Sequence, residues 1–202
     1  MRHIKFIMFA SIMLALGLAA GCAPKVTRIE INKPVDLSGR WNDTDSRIVA
    51  EDMIKDCLDR PWLSQFNMKK GREPVVIVGP VMNKTSEHID SDVFIKELER
   101  TLLNSSKVKF VASRDERISV RDEREDQQAG DTSPETITPK GRETGADFML
   151  QGSVHAIKDE IRGKYVVLYR VNLELINLTN NEKTWIGQKE LKKVVARPEY
   201  SY

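Results

Sequence analysis

The sequence has few of the residues on which metal sites, disulfide frameworks and acid–base catalysis depend. Its 202 residues include two cysteines, Cys22 and Cys57, and three histidines. Two cysteines cannot form a disulfide framework or a four-ligand zinc site. The histidines lack spaced partners, and there is no Gly-x-Ser-x-Gly elbow, Walker loop or His-Glu-x-x-His motif. The sequence therefore predicts a protein that is not an enzyme and that uses no metal or cofactor.

An excess of one charge and a long hydrophobic run are also missing. The 32 lysines and arginines nearly balance 30 acidic residues, so the basic surplus that favours nucleic-acid binding is absent and no nucleic-acid partner is expected. The longest apolar runs after residue 22, Val75 to Val81 and Val166 to Leu168, have the length of strands. With 40% hydrophobic residues, the chain has enough apolar content for one globular domain.

The N-terminal segment has the pattern of a secretory signal peptide. A basic start, Arg2 to Lys5, precedes an apolar stretch from Phe6 to Leu18, which is shorter than the roughly 20 residues that span a bilayer. Ala19-Ala20-Gly21 then leads into Cys22, which resembles the lipobox of bacterial lipoproteins. We predict a signal peptide over residues 1–21 and lipidation of Cys22. The alternative is an ordinary signal peptide followed by a chance cysteine.

The next residues indicate where the domain is held. Ala23 follows the cysteine where sorted lipoproteins of the inner membrane have Asp, and by that resemblance the outer membrane is favoured. Pro24 and Pro34 interrupt a mixed segment, so residues 22–37 are predicted to form the lipidated cysteine and a short tether of at most about 50 Å. Residues 38–202 are predicted to form a single domain that faces the periplasm.

The first half of this domain has the pattern of alternating helices and buried strands. Apolar residues at four-residue spacing predict a helix over 46–59, which Pro61 ends. The β-branched run Val75 to Val78 predicts a strand buried on both faces. A helix over 92–104 and a short strand over 108–112 follow. Strand, helix and strand in this order predict a βαβ unit with parallel strands.

The last sixty residues alternate apolar and polar side chains. Strands are predicted over 147–158, 164–177 and 183–188, joined by short turns into an antiparallel meander. Such alternation predicts one buried and one exposed face. The predicted fold class is α/β in the broad sense (α+β), with a mixed sheet in which a βαβ unit precedes an antiparallel C-terminal meander and helices pack on the sheet.

One predicted helix carries a dense pattern of charge. Ser113 stands three residues before Glu116, which is the spacing of a capping box. Two Arg-Asp-Glu-Arg quartets, seven residues apart, follow on one helical face. This face is interpreted either as a solvated salt-bridged surface, with pairing to Asp115, Asp122 and Glu125, or as a docking surface for a charged partner. The candidate partner-binding residues are Arg114, Arg117, Arg121 and Arg124.

Other polar residues have both a structural and a functional interpretation. The pairs Asp43/Asp45 and Asp90/Asp92 have the spacing of paired catalytic carboxylates, but each lies where a helix is predicted to begin, and capping is favoured. Cys57 lies on the apolar stripe of its helix and is interpreted as a small buried hydrophobic residue. A reactive or intermolecularly paired thiol is the alternative.

Several segments together resemble the LpoB-like family of penicillin-binding protein activators. No single motif is diagnostic, but their order and spacing between Leu37 and Val194 are fairly specific. The segments that carry the resemblance are Ser38-Gly39-Arg40-Trp41-Asn42-Asp43-Thr44-Asp45, Pro61-Trp62, Gly79-Pro80-Val81-Met82-Asn83-Lys84-Thr85, Arg121-Asp122-Glu123-Arg124, Gly145-Ala146-Asp147, Leu150-Gln151-Gly152 and Trp185-Ile186-Gly187.

The resemblance implies a non-enzymatic outer-membrane lipoprotein. Members adopt a small domain similar to TolB N-terminal-like domains and stimulate a peptidoglycan synthase, a class A penicillin-binding protein, by binding its accessory domain. The best-known members have a long Pro-rich tether, which this chain lacks. The alternative is an envelope-assembly or curli-secretion-like structural lipoprotein with no synthase partner. The family's partner contacts cannot be matched to motif positions here.

Overall fold

The computed structural model describes residues 26–30 and 33–196. The predicted signal peptide and Cys22 lie outside these ranges. The chain divides into two units, residues 1–34 and 35–202, and the described helices and strands all belong to the second. Four helices and five strands occur among the described residues: α1 (Asp43–Leu58), α2 (Pro61–Lys70), β1 (Val75–Asn83), α3 (Ser91–Asn104), β2 (Lys109–Phe110), α4 (Arg114–Gln127), β3 (Phe148–Ile161), β4 (Lys164–Asn177) and β5 (Lys183–Ala196).

The strands form one mixed sheet in the order β2-β1-β3-β4-β5. Strand β1 is parallel to both of its neighbours, and α3 connects it to β2, so the predicted βαβ unit is confirmed. Strands β3, β4 and β5 are antiparallel and follow one another along the chain, which confirms the meander. The fold class predicted from the sequence is therefore the one observed.

Helix α1 begins one turn earlier than the predicted residue 46. Asn42 is its N-cap: the Asn42 side chain accepts from the Asp45 backbone N–H at 3.0 Å, and the Asp45 carboxylate accepts from the Asn42 N–H at 2.9 Å. Asparagine caps a helix as well as Asp or Ser does. The reciprocal pair is a capping box, and it places Asp45 inside the first turn instead of in front of it.

Helix α2 was not predicted from the sequence. Pro61 was interpreted only as the end of the preceding helix, whereas it occupies the first turn of a new one, a position where its missing N–H costs nothing. Gly71 ends α2 with a φ of 65°. Trp62 fixes the helix, because its indole N–H donates to the Cys57 carbonyl at 2.7 Å and its ring lies 5.0 Å from that of Phe148.

Three strands are longer than predicted, and one is shorter. Strand β3 continues past the predicted residue 158 to Ile161, whereas β2 has two residues in place of the predicted 108–112. Strand β1 continues through Gly79-Pro80, and its register against β3 shifts between Val78 and Val81. A Cβ atom at residue 79 would lie 2.8 Å from the Met149 sulfur, so a larger residue there would require the Met149 side chain to move. Strand β5 extends to Ala196 because it pairs with the whole length of β4.

The core lies between one face of the sheet and helices α1, α2 and α3. Strand β4 has the predicted alternation, and its buried side chains are Val167, Tyr169, Val171, Leu173 and Leu175. Helix α4 contributes no buried side chain. Over residues 26–30 and 33–196, no helix combines the length and the apolar content needed to cross a membrane.

Candidate partner-binding surface

The capping box that the sequence predicts fixes the N-terminus of the charged helix α4. Ser113 is the N-cap: its hydroxyl accepts from the Glu116 N–H at 3.4 Å, and the Glu116 carboxylate accepts from the Ser113 N–H at 2.8 Å. The four candidate arginines then recur every three or four residues along one side of the helix. The structure divides them into two pairs with different surroundings.

Arg121 and Arg124 converge on one carboxylate outside the helix. Arg121 binds Glu143 through two hydrogen bonds of 2.9 and 2.8 Å, and Arg124 adds a third at 2.8 Å. The hydrogen bonds from Arg121 and, to a smaller extent, from Arg124 lower the pKa of Glu143 to about 2. The pairing that competes with a partner therefore comes from Glu143 in the following loop, a residue that the sequence interpretation did not consider.

The same loop is attached to α4 at further points. Lys140 pairs with Glu125 at 3.3 Å, and the Thr138 N–H donates to the Gln127 side chain at 3.1 Å. A cavity of about 410 Å³ lies between the loop and the arginine pair. The loop thus holds Arg121 and Arg124 in fixed orientations while leaving space beside them.

Arg114 and Arg117 lie at the other end of the helix, beside a larger groove of about 770 Å³. The Nε–H group of Arg117 is buried and has no hydrogen-bond partner within the described residues. A buried donor without an acceptor costs about 1–3 kcal/mol.

The groove has an apolar floor and a charged rim. Side chains of β1, β3 and α3 form the floor, among them Ile77, Ile95 and Met149. On the rim, the Lys96 ammonium binds Glu116 and also Glu99, the latter at 2.7 Å. The hydrogen bond from Lys96 is the main cause that lowers the pKa of Glu116 to about 2. This ion pair joins α3 to α4 across the groove.

One edge of the sheet opens into this groove. Strand β2 pairs with β1 only at Val75 and Val76. Within the described part of the chain, no strand lies beyond β1 from residue 77 onward. An unpaired strand edge beside an apolar floor is a feature that can bind an extended segment of another protein.

Sequence reasoning missed a polar cluster that Glu87 organises. Its carboxylate accepts from the Tyr169 hydroxyl at 2.7 Å and from the Trp41 N–H at 3.4 Å. Burial, together with the hydrogen bond to Glu87, raises the pKa of Tyr169. Asn83 accepts from the Thr85 N–H at 2.9 Å and donates to the Glu87 carbonyl at 2.8 Å. The Asn-Lys-Thr motif therefore shapes the loop that positions Glu87, and no local pattern signals this role.

The remaining candidate groups have structural surroundings. Cys57 is 1% exposed, and burial raises its pKa to about 12, so the thiol is protonated at neutral pH. His155 lies 3.0 Å from the Ser153 hydroxyl. Across residues 26–30 and 33–196, no group of three or more His, Cys, Asp or Glu side chains is placed to hold a metal ion.

Comparison with known proteins gives one family and several solved structures. The model of the family described as peptidoglycan-synthase activator LpoB matches residues 45–191. The LpoB C-terminal domain from Escherichia coli is 18% identical, over 65% of this chain and 93% of that chain, with a TM-score of 0.37. The corresponding domain from Salmonella enterica has the same identity and coverage and a TM-score of 0.35. Lipoprotein GNA1162 from Neisseria meningitidis is 13% identical, over 63% of this chain and 88% of that chain, with a TM-score of 0.38. No curated protein matches the sequence.

Proposed function

We propose that this chain, which belongs to the LpoB family of peptidoglycan-synthase activators, binds and stimulates a class A penicillin-binding protein while anchored to the outer membrane. The observation that carries the proposal is the family match over residues 45–191, which runs from the first helix into the last strand. The family is one of activators, so the chain acts by changing the rate of its partner's reaction.

The anchor in this proposal is a lipid on Cys22. Small residues leading into this cysteine support a lipobox, and Ala23 supports retention in the outer membrane. Several acyl chains make a firm anchor, because each buried methylene contributes about 0.8 kcal/mol. The domain then faces the periplasm on a tether that begins at residue 23.

The folded domain limits how long this tether can be. The Lys193 ammonium donates to Asp36 and Asp45, both at 2.6 Å, so the chain is fixed to β5 from residue 36 onward. Burial lowers the pKa of Lys193, but the hydrogen bonds that its ammonium donates to the two carboxylates outweigh burial and raise the pKa. The free segment between Cys22 and Asp36 can extend to about 45 Å. A synthase of the inner membrane must therefore project its accessory domain to within the combined reach of this tether and the folded domain.

The contact surface in this proposal is α4 and the adjoining groove. The helix contributes no side chain to the core, and Ile118 and Val120 are 53% and 43% exposed. The arginine stripe supplies charge that can steer an acidic partner. The apolar groove beside it can exclude water from the contact.

Reconstitution tests the activating role directly. The mature chain with Cys22→Ser is added in detergent to a purified class A penicillin-binding protein, and glycan polymerisation and cross-linking are measured together. We expect a faster synthase reaction and no reaction when the chain is present alone. Unchanged synthase rates, combined with self-association of the chain, would favour the structural envelope lipoprotein instead.

Labelling with a radioactive fatty acid tests the anchor. We expect the label and outer-membrane fractionation in the wild type, and the loss of both in Cys22→Ala. Cys57→Ala is the matched control, since it removes the other cysteine of the chain and should keep the label. Outer-membrane fractionation of unlabelled Cys22→Ala protein would contradict the lipobox interpretation.

A further inference from the structure

One end of the sheet has an apolar surface on the face that the helices do not cover. The buried side chains of β3 and β4 point toward the helices, so the alternate residues point to the other side. Near the middle of the sheet these alternate residues are polar, with Ser153 opposite Asn172 and Asn172 opposite Gln188. Toward the β3–β4 turn they become apolar.

The strand register makes these residues neighbours. Ile157 is the cross-strand neighbour of Leu168, and Val166 is that of Val194. The two Cβ atoms within each pair are therefore about 5 Å apart. Ile161 completes the group at the end of β3. The exposed fractions of Ile157, Ile161 and Val194 are 61%, 74% and 60%. We call these five residues the apolar end patch.

The tether enters the domain at the same end of the sheet. The Tyr165 hydroxyl donates to the Ser38 carbonyl, and Gly39 lies so close to Val195 that a side chain at residue 39 would collide with it. Tyr165 and Val195 are chain neighbours of two patch residues and point to the opposite face of the sheet. The segment that leads to the anchor therefore meets the domain directly behind the apolar end patch.

The charges around the patch are mainly basic. Lys164 is the cross-strand neighbour of Ile161, and Lys192 is that of Leu168. Both lysines lie on the face of the patch. Arg162 lies in the turn beside them. One acidic residue, Asp159, lies on the same face, where it is the cross-strand neighbour of Val166. Exposed apolar side chains next to lysine and arginine are typical of surfaces that bind at the headgroup boundary of anionic bilayers.

We propose that the apolar end patch contacts the lipid bilayer in which the chain is anchored. The proposal rests on the anchor at Cys22, because the short tether keeps this end of the sheet close to the membrane and turns a weak surface contact into an intramolecular one. The contact would hold the sheet end against the membrane. Helix α4 and its groove would stay available to the synthase.

Vesicle flotation tests this contact without the lipid anchor. The mature chain with Cys22→Ser is mixed with vesicles of phosphatidylethanolamine and phosphatidylglycerol, or of phosphatidylcholine alone. We expect flotation with the anionic vesicles, and at least about tenfold weaker partitioning for Ile157→Glu/Ile161→Glu, since the double variant removes two apolar side chains from the contact. Ile186→Glu is the matched control, because Ile186 is 64% exposed on the same face at the other end of the sheet.

Three results would overturn the proposal. The first is that the wild type floats with neither vesicle type. The second is that the double variant and the Ile186 control lose vesicle binding equally. The third is that the wild type self-associates without vesicles and the double variant does not. The last result would make the patch a contact between two copies. Circular dichroism checks folding, and Ile161→Asn at the turn replaces the double variant if that variant unfolds. Synthase stimulation in detergent is measured on the same proteins, so that loss of lipid binding is distinguished from loss of the activating function.

Discussion

Replacing Trp41 by alanine should destabilise the domain strongly. The Trp41 ring packs edge-on against Phe94 at 6.0 Å and against Tyr169 at 5.5 Å, and its indole N–H donates to the Ser46 hydroxyl at 2.8 Å. Truncating a core aromatic costs about 3–5 kcal/mol. Trp41 is half-buried, so we expect the lower limit, about 3 kcal/mol. For a domain of this size the melting temperature falls by about 2–4 °C per kcal/mol, or about 6–12 °C in all.

Thermal denaturation of the mature chain with Cys22→Ser provides the assay, with Trp41→Phe as the matched control. Phenylalanine keeps an aromatic ring between the same neighbours and loses the indole hydrogen bond, which contributes about 1 kcal/mol, together with part of the ring contact. Ser46 keeps its other bond, to the Asn42 carbonyl at 3.3 Å. An unchanged melting temperature for Trp41→Ala, together with lost synthase binding, would refute the structural role and make Trp41 a contact residue.

Three further changes have effects of known direction. Reversing Arg121 and Arg124 to Glu should leave the circular dichroism spectrum nearly unchanged and weaken synthase binding more at low than at high ionic strength; equal affinities at both salts would identify these arginines as solvated helix surface. Asp147→Asn should cost about 1 kcal/mol at neutral pH. Arg72 donates two hydrogen bonds, of 2.7 and 2.8 Å, to the Asp147 carboxylate, and they lower the folded-state pKa of Asp147. The stabilisation of the folded state by the Asp147 carboxylate is therefore present above the unfolded-state pKa and is lost as pH falls through the folded-state pKa. The free energies of unfolding of the wild type and Asp147→Asn, measured by urea titration, should therefore converge in acid. Gly39→Ala should destabilise more than Gly71→Ala, because both have positive φ but only residue 39 has a close neighbour; equal midpoints would contradict this packing.

The periodic elements and their caps follow from local sequence. Strand β4 has the predicted bounds 164–177 because its alternation is uninterrupted and a two-residue turn precedes it. Helix α4 begins where Ser113 and Glu116 predict. Hydrophobic period and side-chain capping depend on residues a few positions apart, and this is the range over which a sequence pattern is directly informative.

Elements without such a pattern depend on the assembled domain. Helix α2 has little apolar period, and Trp62 holds it against the core through its contact with Phe148. The second half of β1 is a strand because β3 lies beside it, despite Gly79-Pro80. Burial and pairing with distant segments outweigh weak local preferences in both cases.

The sequence by itself determined the fold class, the order of the strands in the meander, and the stripe of arginines on α4. Only the tertiary structure decided which acidic residue meets Arg121, where the tether ends, and which face of the sheet stays open. These features depend on pairs such as Lys193 with Asp36 and Arg121 with Glu143, whose members lie 157 and 22 positions apart. The physical reason is that a charge or hydroxyl can pair with any suitable group of the chain, and the packing of the sheet selects which one comes within hydrogen-bond distance.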